Sequence, residues 1–186
     1  IDLVVSEGTS RALEPMLTSG RLDLALVNLT EVPSELTVEP LIEEDLGLVV
    51  SKDHPLAQRE SIDLETLAGL ELLLPAPGTA YRDELERSLR PAGVQLAAKA
   101  QMDGLRLIAS LTFDGHGPAI LPATSIPSYL RSDWHFIPIA GLKPRVIQLS
   151  LRRKGMPSAA TRAVISLLSE VIDDPKIRPD GCHLAK

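Results

Sequence analysis

Apolar and polar positions along the chain follow two periods, and the switches between them predict the elements. "IDLVVSEG" (1–8) is an apolar run closed by glycine and predicts a strand. Residues 9–19 predict a helix, with Thr9 or Ser10 as its cap and Leu13, Met16 and Leu17 on one face. Pro15 removes a donor from that helix and is expected to kink it or delay its start, and Gly20 is placed to end it in a left-handed conformation. "LDLALV" (22–27) follows as a short buried strand, stopped by Asn28. Strand, helix and strand within so few residues imply a right-handed parallel crossover in a sheet covered on both faces.

The next stretch, "LTVEPLIEEDLGLVVSKDHPLA", gives two extended pieces around Glu43, Glu44 and Asp45, read as a solvated acidic turn. "SIDLETLAGL" is a short helix or turn, and "ELLLPAPG" a buried strand stopped by Pro75 and Pro77. Thr79 caps a helix from about 80 to 90 that Gly93 ends, with Asp83 and Glu84 in its first turn, where negative charge suits the helix dipole. "QLAAKAQM" is a strand, and Asp103 is placed to cap a helix carrying Leu105, Ile108, Ala109 and Thr112. "GPAILP", "WHFIPI" and "VIQLSLRR" are strands. Ser158 caps a final helix whose Val164, Ile165, Leu168, Val171 and Ile172 form one apolar stripe. Residues 174–186 read as a disordered tail.

Composition narrows the function more than the fold. The 186 residues carry a net charge of −6, which argues against a surface that grips nucleic-acid phosphates. Aromatic residues make up only 3%, so the core is aliphatic. One cysteine, Cys182, excludes an internal disulfide and fits a reducing compartment, and no run approaches a membrane span. No nucleophile elbow, phosphate-binding loop or zinc motif is present, and His54, His116, His135 and His183 lack ligand spacing. The chain is therefore expected to be no enzyme and to need no metal or cofactor.

What does recur is a strand, a short polar turn and a capped helix, at Thr9, Thr79 and Asp103. In parallel α/β sheets ligands bind beyond the carboxyl ends of strands, where helix amino ends present unpaired N–H groups. Asn28, at such a strand end, offers donors and an acceptor. It can serve a ligand or merely satisfy its own loop, and physics alone weighs the two equally.

Four blocks in order carry a family resemblance: "SEGTSRALEPMLTSGRLDLALVN", "LIEEDLGLVVSKDHPLA", "IDLETLAGLELLLPAPGTAYRDELE" and "ASLTFDGHGPAILPA". Over about residues 1–173 the chain resembles the effector-binding domain of the LysR-type transcriptional regulators. It departs from them in placing His116 between two glycines. The resemblance implies an α/β, type 2 periplasmic-binding-protein-like fold. Two Rossmann-like lobes would be joined by two crossing strands, near "LGLVV" and "VIQLS", with a cleft between. Lobe I would be 1–49 and 147–186, lacking the family's first strand and helix, and lobe II would be 50–146.

By the same resemblance the effector contacts would be Thr9, Asn28, Pro77, Gly78, Thr79, Tyr81, Met102 and Asp103. The partners implied are a small-molecule effector, further copies in a homodimer or homotetramer, and DNA through a winged helix-turn-helix that this sequence lacks. The implied compartment is the cytoplasm, with no membrane partner. An amide at Asn28 and a carboxylate at Asp103 favour a neutral, zwitterionic or weakly anionic effector. The alternatives are the solute receptor of a transporter and, more remotely, an enzyme such as a dehydratase.

Overall fold

The computed structural model describes residues 1–29 and 31–185. In chain order these form α1 (Ser10–Thr18), β1 (Ala25–Val27), β2 (Leu36–Glu44), β3 (Leu46–Ser51), α2 (Leu64–Ala68), β4 (Glu71–Pro75), α3 (Ala80–Leu89), β5 (Ala97–Met102), α4 (Leu105–Phe113), β6 (Ala119–Pro122), β7 (Trp134–Pro138), β8 (Arg145–Arg152), α5 (Ala159–Asp173) and β9 (Cys182–Leu184). The chain divides into two compact units, 1–43 with 146–186, and 44–145.

The first unit is built on a four-stranded sheet of order β1-β8-β2-β9. Thr9 caps α1, accepting the Ala12 N–H at 3.3 Å in an extended conformation. The helix starts at Ser10 in spite of Pro15, so the proline delays nothing: it lies in the second half of the helix and leaves the first turn's bonds intact. Leu13 and Leu17 face Ala25, Val27 and Leu36 in a small core. Gly20, at φ +80°, turns the chain out of the helix.

Two expectations fail here. Residues 1–8 form no strand, and Ile1, Val4 and Val5 are exposed, because no described strand lies beside them to take their hydrogen bonds. The expected parallel crossover is accordingly absent. β1 pairs instead with β8, antiparallel, with Leu26 opposite Leu149. The tail is not unstructured either. Its residues 182–184 add β9 to the sheet beside β2 and bury Cys182, while Lys186 lies outside the described residues.

The second unit holds a five-stranded sheet of order β5-β4-β6-β3-β7. β4 runs parallel to β5 and β6, and β3 is antiparallel to β6 and β7. The segment "LGLVV", expected near a crossing, is thus an inner strand of this sheet. Side chains alternate between its faces with the period of two that strands impose. Leu48, Leu72, Leu74 and Ile120 pack with Leu67 of α2 and Leu85 and Leu89 of α3. Val49, Leu73, Ala119 and Leu121 pack with Ile108 of α4. Each fully buried leucine contributes about 1.5–3 kcal/mol, so this double-sided core dominates the unit's stability. β4, α3, β5, α4 and β6 form two successive parallel crossovers. They bring the carboxyl ends of three strands to one edge.

Candidate functional site

At that edge the turns leaving β4 and β5 are bonded to each other. The Ala76 N–H donates to the Met102 carbonyl at 2.9 Å, extending the register that sets Pro75 opposite Met102. Thr79 shapes the first turn. Its hydroxyl donates to the Ala76 carbonyl at 2.8 Å and accepts the Arg82 N–H at 3.3 Å, so one side chain closes the turn and caps α3. Pro77 and Gly78 are exposed, and Gly78 holds φ +78° with nothing within 4 Å of where a Cβ would stand. Gly104 in the second turn has φ +90° and the same open space.

Two candidates stand otherwise than the sequence suggested. Asp103 is exposed and does not cap α4. The cap is Gly104, which has no side chain to bond with, and its positive φ turns the preceding residue away from the helix. Tyr81 faces inward, packing on the core and donating its hydroxyl to the Ile120 carbonyl at 3.1 Å. Burial pushes its phenol far above the usual range, with Arg145 opposing the shift and Glu84 and Glu44 reinforcing it. Met102 is half-buried against the α4 side of the core. His116 lies before β6, at the opposite edge of the sheet, with its ring 3.1 Å from Asp114.

A polar cluster at the same edge escaped the sequence reading. Leu46 pairs with Pro122, which brings the start of β3 to the end of β6. The Ala123 N–H donates to the Asp45 carbonyl at 2.9 Å, and the Thr124 N–H to Glu44 Oε1 at 3.2 Å. The Thr124 hydroxyl donates to the same oxygen. Glu44 Oε2 accepts from Arg145 Nε at 2.8 Å and forms an ion pair with the same guanidinium, 2.6 Å from Nη2. Glu44 is 2% exposed, so the acidic triplet read as a solvated turn contains a buried carboxylate. The missed signal was its partner, 101 positions away.

In the first unit Thr9 and Asn28 come together. The Asn28 backbone N–H donates to the Ser10 hydroxyl at 3.3 Å, seating the strand end against the first turn of α1. Its carboxamide donates to the Val146 carbonyl at 2.9 Å, and the next amide, Leu29, donates to Gln148 Oε1 at 2.9 Å. Asn28 therefore does satisfy backbone, with one N–H, and its oxygen can still accept. Among the described residues no group of three or more His, Cys, Asp or Glu side chains is arranged to hold a metal ion. None of their helices is long and apolar enough to cross a membrane.

Comparison with known proteins matches residues 1–173 to the family described as LysR substrate binding domain. A probable hydrogen peroxide-inducible genes activator of Streptomyces viridosporus is 30% identical over 182 residues, covering 96% of this chain and 58% of that protein. The chain thus spans little more than half the length of such curated relatives. Among solved structures, a reduced form of OxyR from N. meningitidis superposes with a TM-score of 0.78 at 20% identity, over all of this chain and 85% of that one. The effector binding domain of QuiR in complex with shikimate gives 0.74 at 22% identity, over 88% of this chain and 78% of that one. The fold is the type 2 periplasmic-binding-protein-like fold of these effector domains.

Proposed function

The chain belongs to the LysR substrate binding domain family, and we propose that it senses a small polar metabolite on behalf of a transcriptional regulator, without bond chemistry. The observation that carries this reading is the Ala76–Met102 bond, which sets two glycine-bearing turns and two helix amino ends side by side with open space before them. Pro77, Gly78, Thr79, Met102 and Asp103 contribute the second unit's contacts, with Tyr81 bracing the turn from inside. Thr9 and Asn28, where a strand end meets the first turn of α1, are a second candidate contact within the first unit. A ligand of this kind acts by its differential affinity for two states of the protein, and the shift it causes equals that difference and no more. In the whole regulator the shift would reach DNA through a winged helix-turn-helix, within a homodimer or homotetramer.

The relatives' names support a regulator over the solute receptor of a transporter. Their mention of hydrogen peroxide transfers less readily. The sequence has one cysteine, Cys182, buried in β9, so no disulfide forms within residues 1–186. What we carry over is sensing, not peroxide chemistry. A thermal-shift screen of metabolites against the full-length protein tests the proposal. A hit should raise the melting temperature and lose its effect in Thr79→Ala or in Asn28→Ala, according to the unit that holds it. A hit indifferent to both substitutions would place binding elsewhere and end this reading of the site.

A further inference from the structure

Arg145 opens β8 and stands at the same sheet edge as the two turns, linked to the end of β6 through Glu44 and Thr124. A guanidinium carries five N–H donors in a rigid planar fork. Glu44 takes the side edge of that fork with one oxygen, which accepts from Nε and lies 2.6 Å from Nη2. The end edge, formed by Nη1 and the second hydrogen of Nη2, has no partner among the described residues. It is not buried without a partner, either. The side chain is 19% exposed, against 3% for Glu44, so the unused edge reaches solvent while the carboxylate does not. Glu44 is held from its other oxygen by Thr124, which fixes the orientation of the fork.

We infer that the end edge of Arg145 reads the acidic group, a carboxylate or a phosphate, of the small molecule recognised at this edge. The inference rests on the sensing function proposed above and names the ligand's class. It departs from the sequence expectation of a neutral, zwitterionic or weakly anionic effector by requiring an acidic group; part of that expectation stood on Asp103 as a cap, which Gly104 is instead. Two parallel N–H groups match the two oxygens of a carboxylate or two of a phosphate, and such charge-assisted pairs are the stronger class of hydrogen bond. Glu44 balances the charge of Arg145 without occupying that edge, so the site offers oriented donors more than net charge. The clustered lysines that nucleic acid would need are not required.

The test uses the full-length protein and two sets of probes, followed by thermal shift and calorimetry. The acids are shikimate, succinate, citrate and inorganic phosphate. The neutral set comprises shikimate methyl ester and succinamide. At least one acid with a neutral counterpart should bind the wild type about tenfold or more tighter than that counterpart. The double variant Glu44→Gln/Arg145→Met, which leaves no buried charge unpaired, should lose that preference, and Arg145→Lys should keep part of it. Glu44→Gln alone should bind the acid more tightly, because the guanidinium charge is no longer balanced, an outcome a purely structural role for the pair would reverse. Equal acid binding in the double variant and the wild type would overturn the inference, as would an absence of binding by every acid. A neutral probe that stabilises the wild type but not Thr79→Ala, with every acid bound no tighter, would leave sensing standing while removing Arg145 from it.

Discussion

Thr79 is bonded to both ends of its own turn: its hydroxyl donates to the Ala76 carbonyl at 2.8 Å and accepts the Arg82 N–H at 3.3 Å. Ala76 in turn donates to Met102, so the position of the second turn depends on a side chain in the first. Thr79→Ala removes the cap and should lower unfolding stability by about 1 kcal/mol in a urea titration. Thr79→Ser keeps the hydroxyl and should recover most of the loss. Equal stability of the Ala and Ser variants would show that the cap contributes nothing.

Gly47 sits in β3 between two neighbours, where a Cβ would stand 2.5 Å from the Phe136 ring and 2.7 Å from the Ile137 carbonyl oxygen. A carbonyl in a paired strand cannot retreat without breaking the β3–β7 register that sets Gly47 opposite Pro138. Gly47→Ala is therefore expected to cost about 1–3 kcal/mol through overpacking. The comparison is Gly93→Ala, where a Cβ meets nothing within 4 Å but φ is +69°. That variant should lose only the left-handed backbone penalty of about 1–2 kcal/mol. A Gly47→Ala protein as stable as the wild type would mean that β7 is free to shift.

What the sequence disclosed and what it hid follow from the range of each interaction. Thr79, Thr9 and Ser158 cap their helices as expected, because a cap is settled within three or four residues. The buried strands of the second unit were legible from their apolar runs. Asp103 misled because its neighbour Gly104 can adopt φ +90°, which takes over the cap position. "IDLVV" reads as a strand by composition, yet a strand exists only with a partner, and none is described beside it. Glu44 and Arg145 were invisible for the same reason in reverse, since pairing over long sequence separation leaves no local pattern. So the turns that carry the proposed site were readable as turns, and the charged cluster beside them was not.

His54 gives a pH dependence with a definite sign. Burial lowers its pKa below the ordinary value of 6.5, and its Nδ1 accepts the Leu56 N–H at 3.2 Å, which requires that nitrogen to be unprotonated. The unfolded chain therefore takes up a proton near 6.5 while the folded chain resists until lower pH. The stability contributed is fully present above 6.5 and is lost as pH falls from there through the folded pKa. Urea midpoints compared at pH ~7.5 and ~5.5 should fall less for His54→Gln than for the wild type. A steeper fall in the variant would contradict the assigned direction.

Arg152 ties the end of α1 to the sheet of the first unit. Its Nη1 donates to the carbonyls of Leu17 at 3.2 Å and Leu22 at 2.8 Å, joining the last turn of α1, where the Gly20 N–H also donates to the Leu17 carbonyl, to the segment that leads into β1. A cation at a helix carboxyl end also complements its dipole. Arg152→Met keeps the aliphatic stem but leaves both carbonyls without this donor, and hydrogen bonds from a charged group contribute about 1.5–3 kcal/mol, less where water can replace them. Arg152→Lys should recover part of that, since an ammonium carries the donors but ends a shorter stem than Nη1. Because Thr9 and Asn28 meet at the other end of the same helix, the loss should appear first as faster amide exchange at residues 17–22. Ligand binding should weaken only at temperatures where α1 begins to melt. Unchanged exchange at those amides in Arg152→Met would show that α1 is held by its buried Leu13 and Leu17 alone.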